Sequence, residues 1–282
     1  MEGFSFVDES FDPNISLSYF LSIRLNSDGL SFCTLDPIIN KYIQISHFVL
    51  NKDFPNAPQL DKYFATIDIL NLPFKKTFIL IPTQIATLVP AGIFESEKSK
   101  IMLEFCCNIS DNENVKYNKI RQADVYNIFT IPSEIETIFS RQFPEPIYFH
   151  QNTPFIDGFL SSSIVLGNEH YSCCINFNTD FFDVVIFEKT RLKLCNSFTI
   201  KGEKDFIYYI LFVVEQLKLS ESNTSIFISG INENRQKYIT ELSRYFSKIK
   251  QIELPNNFHY SHIFKELRFA GFYNLLNLPT CV

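Results

Sequence analysis

Short apolar stretches separated by polar turns dominate the start of the chain. Residues 18–25 and 30–36 are apolar stretches, and the turn NSDG (26–29) lies between them. An Asp-Gly pair in this setting predicts a β-hairpin, because a type I′ turn requires positive φ at its central residues. A third strand is predicted over residues 42–50. The chain is therefore expected to open with an antiparallel meander of three strands.

The period of the apolar positions changes after this meander. Residues 59–70 carry apolar side chains at helical spacing, and the apolar run FILI (78–81) predicts a buried strand. Near the end of the chain, the apolar positions of residues 258–269 predict a final helix.

The same order of elements returns in the second half of the sequence. Residues 22–36 align without a gap onto residues 174–188, and in each half a third strand, a helix and an apolar strand follow. The turn triplets coincide in this alignment: Asn26, Ser27 and Asp28 match Asn178, Thr179 and Asp180. We interpret the pattern as an internal duplication; chance similarity of two amphipathic hairpins is the alternative, since turn composition alone supplies part of the match. The predicted domains are residues 1–165, with an inserted strand segment, and residues 166–282.

Composition excludes several classes of enzyme. The chain has 282 residues but only 8 glycines, and none of them forms a G-x-G, G-x-x-x-x-G-K or G-x-S-x-G motif. Dinucleotide-binding folds, P-loop nucleotidases and α/β-hydrolases are therefore not expected. The apolar fraction of 46% is sufficient for one large or two ordinary globular domains.

Charge and cysteine content limit the classes of binding partner and the cellular compartment that are expected. A net charge of −6 argues against a nucleic-acid surface, and the basic cluster within 235–250 is interpreted as a solvated helix face. The longest apolar run, residues 206–214, is too short for a membrane span of about 20 residues. Seven cysteines without a C-x-x-C motif, and no basic signal segment, predict a reduced cytoplasmic protein.

Other chemistry-bearing residues are interpreted as structural. His259, His262 and Glu266 are spaced to share one face of the predicted final helix, but packing explains that helix more simply than a metal site does. His150, at the end of a predicted strand, is expected at the surface or in a loop. No catalytic residue and no metal site is predicted. The apolar tail 269–276 is expected to pack on the body of the protein, with a partner surface as the alternative.

Three meandering strands, a helix and a strand, present twice, resemble the ribonuclease-H-like unit. Two such units in tandem form the actin, sugar kinase and heat-shock ATPase superfamily. Three stretches also resemble an uncharacterised, mostly Bacteroidetes family that carries a domain-of-unknown-function label and is grouped with actin-like folds: TFILIPTQIATLVPAGIFE (77–95), FHQNTPFIDGFL (149–160) and NSFTIKGEKDFIYYILFVVEQLKL (196–219). The resemblance implies a tandem duplicated ribonuclease-H-like, actin-like ATPase fold of the α/β class, with mixed sheets flanked by helices. It implies no particular activity.

The superfamily resemblance also implies where a nucleotide would bind. Active members hold the ATP phosphates between two hairpin turns, and a glycine-containing segment after a strand contacts the adenosine. The corresponding candidates in this sequence are Asn26, Ser27 and Asp28 in one turn, Asn178, Thr179 and Asp180 in the other, and Gly230 after the later strand.

The sequence departs from the superfamily pattern at these same places. Phe181 stands where Gly29 stands in the first turn, and its bulk would crowd a phosphate. Asp28 and Asp180 would repel a phosphate unless a metal intervened. The leading hypothesis is therefore a non-catalytic cytoplasmic protein without a cofactor that binds a protein partner; homo-oligomerisation is compatible with it. The alternative is an actin-like ATPase that binds ATP with magnesium in the inter-domain cleft.

Overall fold

The computed structural model describes residues 3–27, 29–49, 57–162, 170–202, 204–220, 223–266 and 269–282. The strands in this part of the chain are β1 (Phe4–Val7), β2 (Phe20–Asn26), β3 (Gly29–Asp36), β4 (Lys41–Val49), β5 (Lys76–Leu80), β6 (Ala86–Pro90), β7 (Glu113–Ile120), β8 (Val125–Pro132), β9 (Ile147–Phe149), β10 (Tyr171–Phe177), β11 (Phe181–Glu188), β12 (Arg191–Thr199), β13 (Thr224–Gly230), β14 (Ile249–Gln251) and β15 (His259–Tyr260). The α-helices are α1 (Ala57–Thr66), α2 (Ser99–Glu104), α3 (Ser133–Gln142), α4 (Asn152–Ser161), α5 (Asp205–Gln216), α6 (Arg235–Leu242) and α7 (Tyr273–Asn277). Within the described residues, no helix is long and apolar enough to cross a membrane.

The strands form three sheets. The first sheet has the order β1-β4-β3-β2-β5-β9, with β15 beside β4, and the second has the order β12-β11-β10-β13-β14. In both, an antiparallel meander of three strands is extended by two parallel strands. The third sheet, β6-β8-β7, is antiparallel and lies in the chain between β5 and β9. This sheet contains the strands of the segment for which the sequence predicts an insertion; that the segment is an insertion stays a prediction.

The two meanders agree in register as well as in order. Each has one irregularity between its second and third strands, at Thr34/Leu35 in the first and Ile186/Phe187 in the second. These positions coincide in the gap-free alignment of residues 22–36 with 174–188. The shared irregularity favours the duplication, although common ancestry of the halves stays a prediction. The predicted division at residues 165 and 166 lies outside the described residues and also stays a prediction.

Apolar side chains explain why each sheet is covered by helices. Leu60 and Phe64 of α1 are one helical turn apart and buried, and Phe64 packs edge-on against Phe139 of α3 with ring centroids 5.5 Å apart. Both helices lie on the core of the first sheet. On the second sheet, α5 buries Phe206 and Ile210 in the same way. The central strands of the first two sheets are thus buried, which their nearly continuous apolar sequences predict.

The end of the chain differs in part from its prediction. The predicted helix over residues 258–269 is wrong: β15 pairs with the start of β4, and a 3₁₀ turn (His262–Glu266) follows. The backbone N–H of His259 donates to the carbonyl of Asn40 at 2.8 Å, and the ring of Tyr260 stacks on Tyr42 at 5.7 Å. This strand pairing overrides the local helical pattern, so the histidines do not share a helix face.

The apolar tail packs on the body of the protein, as one of the two sequence alternatives proposed. Leu275, Leu276 and Leu278 are fully buried in a cluster with the first sheet, and the hydroxyl of Tyr42 donates to the carbonyl of Leu276 at 2.6 Å. The tail also contacts α4, where a Cβ at Gly158 would lie 2.6 Å from the side chain of Asn277. Glycine therefore allows α4 and α7 to approach closely.

Candidate functional site

The turns of the two meanders meet at their tips. Asn26 Nδ2 donates to Thr179 Oγ1 at 3.4 Å, and Ser27 Oγ donates to Asp180 Oδ2 at 3.3 Å. We call the β2–β3 turn the first turn, the β10–β11 turn the second turn, and the region where they meet the junction. The sequence alignment placed these residues in equivalent positions, and the structure brings them into direct contact. Asp28 lies outside the described residues.

Gly230 at the end of β13 and Asn232 in the loop that follows support the second turn. Asn232 Nδ2 donates to the carbonyls of Asn178 and Thr179, each at 3.0 Å. Gly230 has φ +87°, and a Cβ there would lie 2.0 Å from the carbonyl oxygen of Phe177. Glycine at this position is therefore required by the close parallel pairing of β13 with β10. Gly230 thus lies beside the second turn; its role as a nucleotide-binding residue stays a prediction.

Phe181 faces the junction from β11. Alternate residues of β11 point to opposite faces of the sheet. Phe182 packs in the core beneath α5, whereas Asp183, Val185 and Phe187 point to the first half of the protein, where Phe187 stacks on Phe159 of α4 at 5.0 Å. Phe181 shares that second face and is buried. The bulky side chain that replaces glycine in the second turn thus occupies space next to the junction.

The chain's tail fills the other side of the junction. The guanidinium of Arg24 on β2 is buried, donates through Nη1 to the carbonyl of Gly271 at 3.4 Å, and lies 5.8 Å from the ring centroid of Phe272. A Cβ at Gly271 would lie 2.4 Å from Ile231, the residue after Gly230. The tail therefore lies between β2 and the loop that follows β13.

Asp183 is the centre of a buried polar cluster behind the second turn. Its Oδ1 accepts from Ser197 Oγ at 2.6 Å and Gln151 Nε2 at 3.2 Å. Its Oδ2 accepts from the side-chain amides of Asn176 and Asn178, each at 3.0 Å. These four donors are uncharged. Burial raises the pKa of the Asp183 carboxyl, and the four hydrogen bonds oppose that rise.

Gln151 joins this cluster to the first half of the protein. Its Nε2 donates to the carbonyl of Thr83 at 2.8 Å as well as to Asp183, and its Oε1 accepts from the backbone N–H of Thr83 at 3.1 Å. Thr83 follows β5, and Gln151 immediately precedes α4. One side chain thus bonds three groups that come from both halves of the chain.

His150 is held beside Gln151 in its neutral form. Its Nδ1 accepts from the backbone N–H of Asn152 at 3.1 Å and from Asn127 Nδ2 at 2.9 Å, so Nε2 carries the proton and donates to the carbonyl of Thr83 at 3.0 Å. Burial lowers the pKa of His150 to about 3. The prediction of a surface or loop histidine is right about the loop, because His150 lies between β9 and α4, and wrong about the surface, because the residue is 1% exposed.

Sequence reasoning missed Asp183, Gln151 and His150 as members of one site. Gln151 and His150 lie in the stretch FHQNTPFIDGFL (149–160), which carries a family resemblance. A run of polar residues between a buried strand and an apolar helix start was the available signal, because such residues must find buried partners. Asp183, a charged residue inside the apolar stretch FFDVVIFE (181–188), also indicated a buried partner, but the sequence does not identify Gln151 in the other half as that partner.

A family model described as "Protein of unknown function (DUF3822)" matches residues 8–249 of the chain. A crystal structure from Bacteroides thetaiotaomicron, described as a protein with actin-like ATPase fold and unknown function, is similar with a TM-score of 0.79. It is 28% identical, and the match covers 86% of this chain and 93% of that one. These similarities confirm the predicted fold class and the resemblance to a Bacteroidetes family with an actin-like fold.

A structure described as the PilM-PilN type IV pilus biogenesis complex shares the fold with a TM-score of 0.59 at 8% identity. The match covers 92% of this chain and 97% of that one. No protein of curated function matches the sequence.

Proposed function

The chain belongs to this family of unknown function, DUF3822, and from that premise we propose that it is a non-catalytic actin-like protein that acts through protein contacts. The observation that carries the proposal is the direct bonding of the two turns. The superfamily resemblance places the ATP phosphates between these turns, and here Asn26 bonds Thr179 and Ser27 bonds Asp180 across that position.

The residues at the junction do not fit a nucleotide phosphate. A phosphate between the turns would have to separate both hydrogen-bonded pairs, and it would approach the carboxylate of Asp180, which repels it unless a metal ion lies between them. Phosphate cradles usually offer backbone N–H groups from a glycine-rich loop. The second turn instead directs the carbonyls of Asn178 and Thr179 to Asn232, and it contains no glycine.

The contacts of the tail also count against nucleotide binding, at the position expected for the adenosine. Gly271 packs on Ile231, next to Gly230, where the resemblance places the adenosine-binding segment. The close approach of Gly230 to Phe177 gives that glycine a packing role that does not involve a ligand. The bonding between the turns and the packing of Gly271 on Ile231 thus both support a role other than nucleotide binding, and we propose that this role is to bind other proteins.

The fold is compatible with such a role. The neighbour described as the PilM-PilN type IV pilus biogenesis complex contains a protein of this fold in a complex with a partner. The likeness is limited to the fold, so it identifies no partner for this chain. We further propose a cytoplasmic location, which is supported by seven cysteines that are all unpaired. Homo-oligomerisation stays a prediction.

Calorimetric titration with ATP and magnesium tests the proposal. We expect no binding heat at ligand concentrations up to ~1 mM. Micromolar binding to the wild type that is lost in Asp180→Ala would overturn the proposal and support the ATPase alternative. Ser10→Ala, far from the junction on the loop after β1, is the matched control for a small polar substitution that should leave any such binding unchanged.

A further inference from the structure

Helix α5 has an exposed face that carries large apolar side chains. Its residues 206–214 are uncharged, and a helix that is apolar on all sides is ordinarily buried on all sides. α5 buries Phe206 and Ile210 on the second sheet, yet Tyr208 is 63% exposed and Phe212 is 45% exposed. Neighbouring exposed rings of this kind mark an interaction surface.

The corresponding helix of the first half has a polar outer face. α1 follows the first meander as α5 follows the second, and each lies on the core of its own sheet. The exposed residues of α1 are small or polar: Pro58, Gln59, Asp61, Lys62, Ala65 and Thr66. A helix that covers a sheet in this fold therefore needs no aromatic rings on its outer face, and packing within the chain does not explain those of α5.

The exposed rings of α5 are held in a fixed arrangement. Tyr209 is half-buried and stacks on Phe198 of β12, with ring centroids 4.7 Å apart. Tyr208 meets the Tyr209 ring edge-on at 5.3 Å, and its plane lies within 18° of that of Phe212 at 6.3 Å. Because the rings are already ordered, less conformational entropy is lost when a partner covers them.

Two opposite charges flank the rings on the same face. At 3.6 residues per turn, positions 204, 208, 212 and 215 share one side of the helix. Lys204 belongs to this helical register, because its carbonyl accepts from the backbone N–H of Tyr208 at 3.0 Å. Lys204 and Glu215 are exposed, and neither forms an ion pair within the part of the chain that the structure describes. Lys218, in contrast, has a φ of 52° and lies beyond the end of the helix.

Each of the two charges lies at the unfavourable end of its own helix. The helix dipole is positive at the N-terminus, where Lys204 lies, and negative at the C-terminus, near Glu215. A second helix that runs antiparallel to α5 brings its C-terminus next to Lys204 and its N-terminus next to Glu215. Both charges are then favourable.

The order of residues along this face fits a second copy of α5. A two-fold axis exchanges the partners, so a residue and its contact lie at equal distances from the axis. The midpoint of Lys204 and Glu215 and the midpoint of the two rings both fall at the level of Ile210. One axis at that level places Lys204 next to Glu215 of the second copy. The same axis places Tyr208 next to Phe212 of the second copy.

We propose that this protein forms a two-fold homodimer through antiparallel packing of the exposed faces of α5. A parallel arrangement would put Lys204 beside Lys204 and Glu215 beside Glu215, which repel each other. A lipid surface is a poor alternative, because Glu215 shares the face with the rings and the chain has a net charge of −6.

The proposal goes beyond the proposed function and does not depend on it. α5 packs on the same side of the second sheet as Phe182, whereas Phe187 on the other side contacts α4 of the first half. The dimer surface therefore faces away from the first half and leaves the junction unchanged.

The size of the face predicts a weak dimer. An aromatic side chain buries about 150–250 Å², so the exposed parts of Tyr208 and Phe212 present roughly 200 Å² per copy. Half-buried Leu211 and the aliphatic stems of Lys204 and Glu215 add to this area. Stable interfaces bury about 800 Å² per partner. We therefore expect a dissociation constant of ~10–100 μM.

Sedimentation equilibrium of the whole protein at ~5–500 μM tests the proposal, and we expect a reversible equilibrium of monomer and dimer. Phe212→Ser removes one ring from each copy and should weaken association at least ~10-fold. Phe105→Ser is the matched control, because Phe105 directly follows α2 and is 85% exposed. That change should leave association as it is in the wild type.

A charge exchange tests whether the partner is a second copy in this register. Lys204→Glu puts two carboxylates together at both symmetric contacts and should weaken association ~5–30-fold. Glu215→Lys in the same chain restores opposite charges and should return the dissociation constant to within ~3-fold of the wild type. Lys62→Glu, on the exposed face of α1, makes the same change in net charge and should have no effect.

Three results would overturn the proposal. These are a wild type that stays monomeric at ~500 μM, a dimer that Phe212→Ser leaves intact, and a loss with Lys204→Glu that Glu215→Lys does not restore. If Phe212→Ser does not fold, the charge exchange decides. The nucleotide titration is independent: micromolar ATP binding would overturn the proposed function and leave the dimer standing.

Discussion

Gly230→Ala tests whether this glycine serves packing or ligand approach. Gly230 ends β13 opposite Phe177 of β10, in a parallel pair. Its φ of +87° lies in the left-handed region, and a Cβ would lie 2.0 Å from the carbonyl oxygen and 2.4 Å from the nitrogen of Phe177. These are backbone atoms in the centre of the second sheet, so they cannot rotate away. We expect the variant to be substantially less stable than the wild type.

Two contributions give the size of this effect. Holding a residue with a Cβ at positive φ costs about 1–3 kcal/mol. Forcing the backbone apart against a well-packed neighbour adds about 1–3 kcal/mol. The expected loss in free energy of unfolding is therefore about 2–6 kcal/mol, a large part of the stability of an ordinary domain.

Urea unfolding followed by far-ultraviolet circular dichroism measures this loss. Gly92→Ala is the matched control, because a Cβ at Gly92 has no atom within 4 Å; its stability should stay within about 0.5 kcal/mol of the wild type. Gly230→Ala with wild-type stability would refute the packing argument. If that variant were stable but had lost binding of ATP, the glycine would serve ligand approach instead.

Two buried carboxylates predict opposite pH dependences, which urea unfolding at a series of pH values can measure. Burial raises the pKa of Asp183, so the wild type gains stability as pH falls through that raised pKa. The stability advantage of the wild type over Asp183→Asn should therefore grow below pH 7. An advantage that shrinks instead contradicts the argument. Burial alone would also raise the pKa of Asp8, but hydrogen bonds from Ser10, Ser261 and Lys41 outweigh it and lower the pKa. Its stabilisation is present above pH ~4 and is lost in stronger acid, so the difference between wild type and Asp8→Asn should shrink there; a constant difference would refute this assignment.

Local patterns predicted the two meanders well. Turn chemistry and apolar alternation depend on neighbouring residues, so the hairpin around residues 26–29 and its equivalent around 178–180 follow from the sequence. For the two turns, the sequence predicted only that they lie close together, not that they bond each other. Whether Asn26 bonds Thr179 directly or leaves space for a ligand depends on how the halves close, and no local pattern encodes that.

Elements that depend on distant partners were not predictable. The helical pattern of residues 258–269 does not form a helix, because β15 pairs with β4. The partner residues on β4 lie more than two hundred positions earlier in the chain. Gln151 and Asp183 are separated by 32 positions and meet where the two halves of the chain contact each other. A polar residue inside a buried strand signals that a partner exists, but the sequence does not identify the partner.

The position of the tail constrains the order in which the protein folds during synthesis. Domains generally fold as units, N-terminal first, as the chain emerges. Here the apolar cluster on one face of the first sheet is completed by Phe272, Leu275, Leu276 and Leu278. The ribosome adds these residues after the whole second sheet. One face of the first sheet therefore stays uncovered until this region is translated, and the newly made first half depends on residues made after the second sheet to bury its apolar surface.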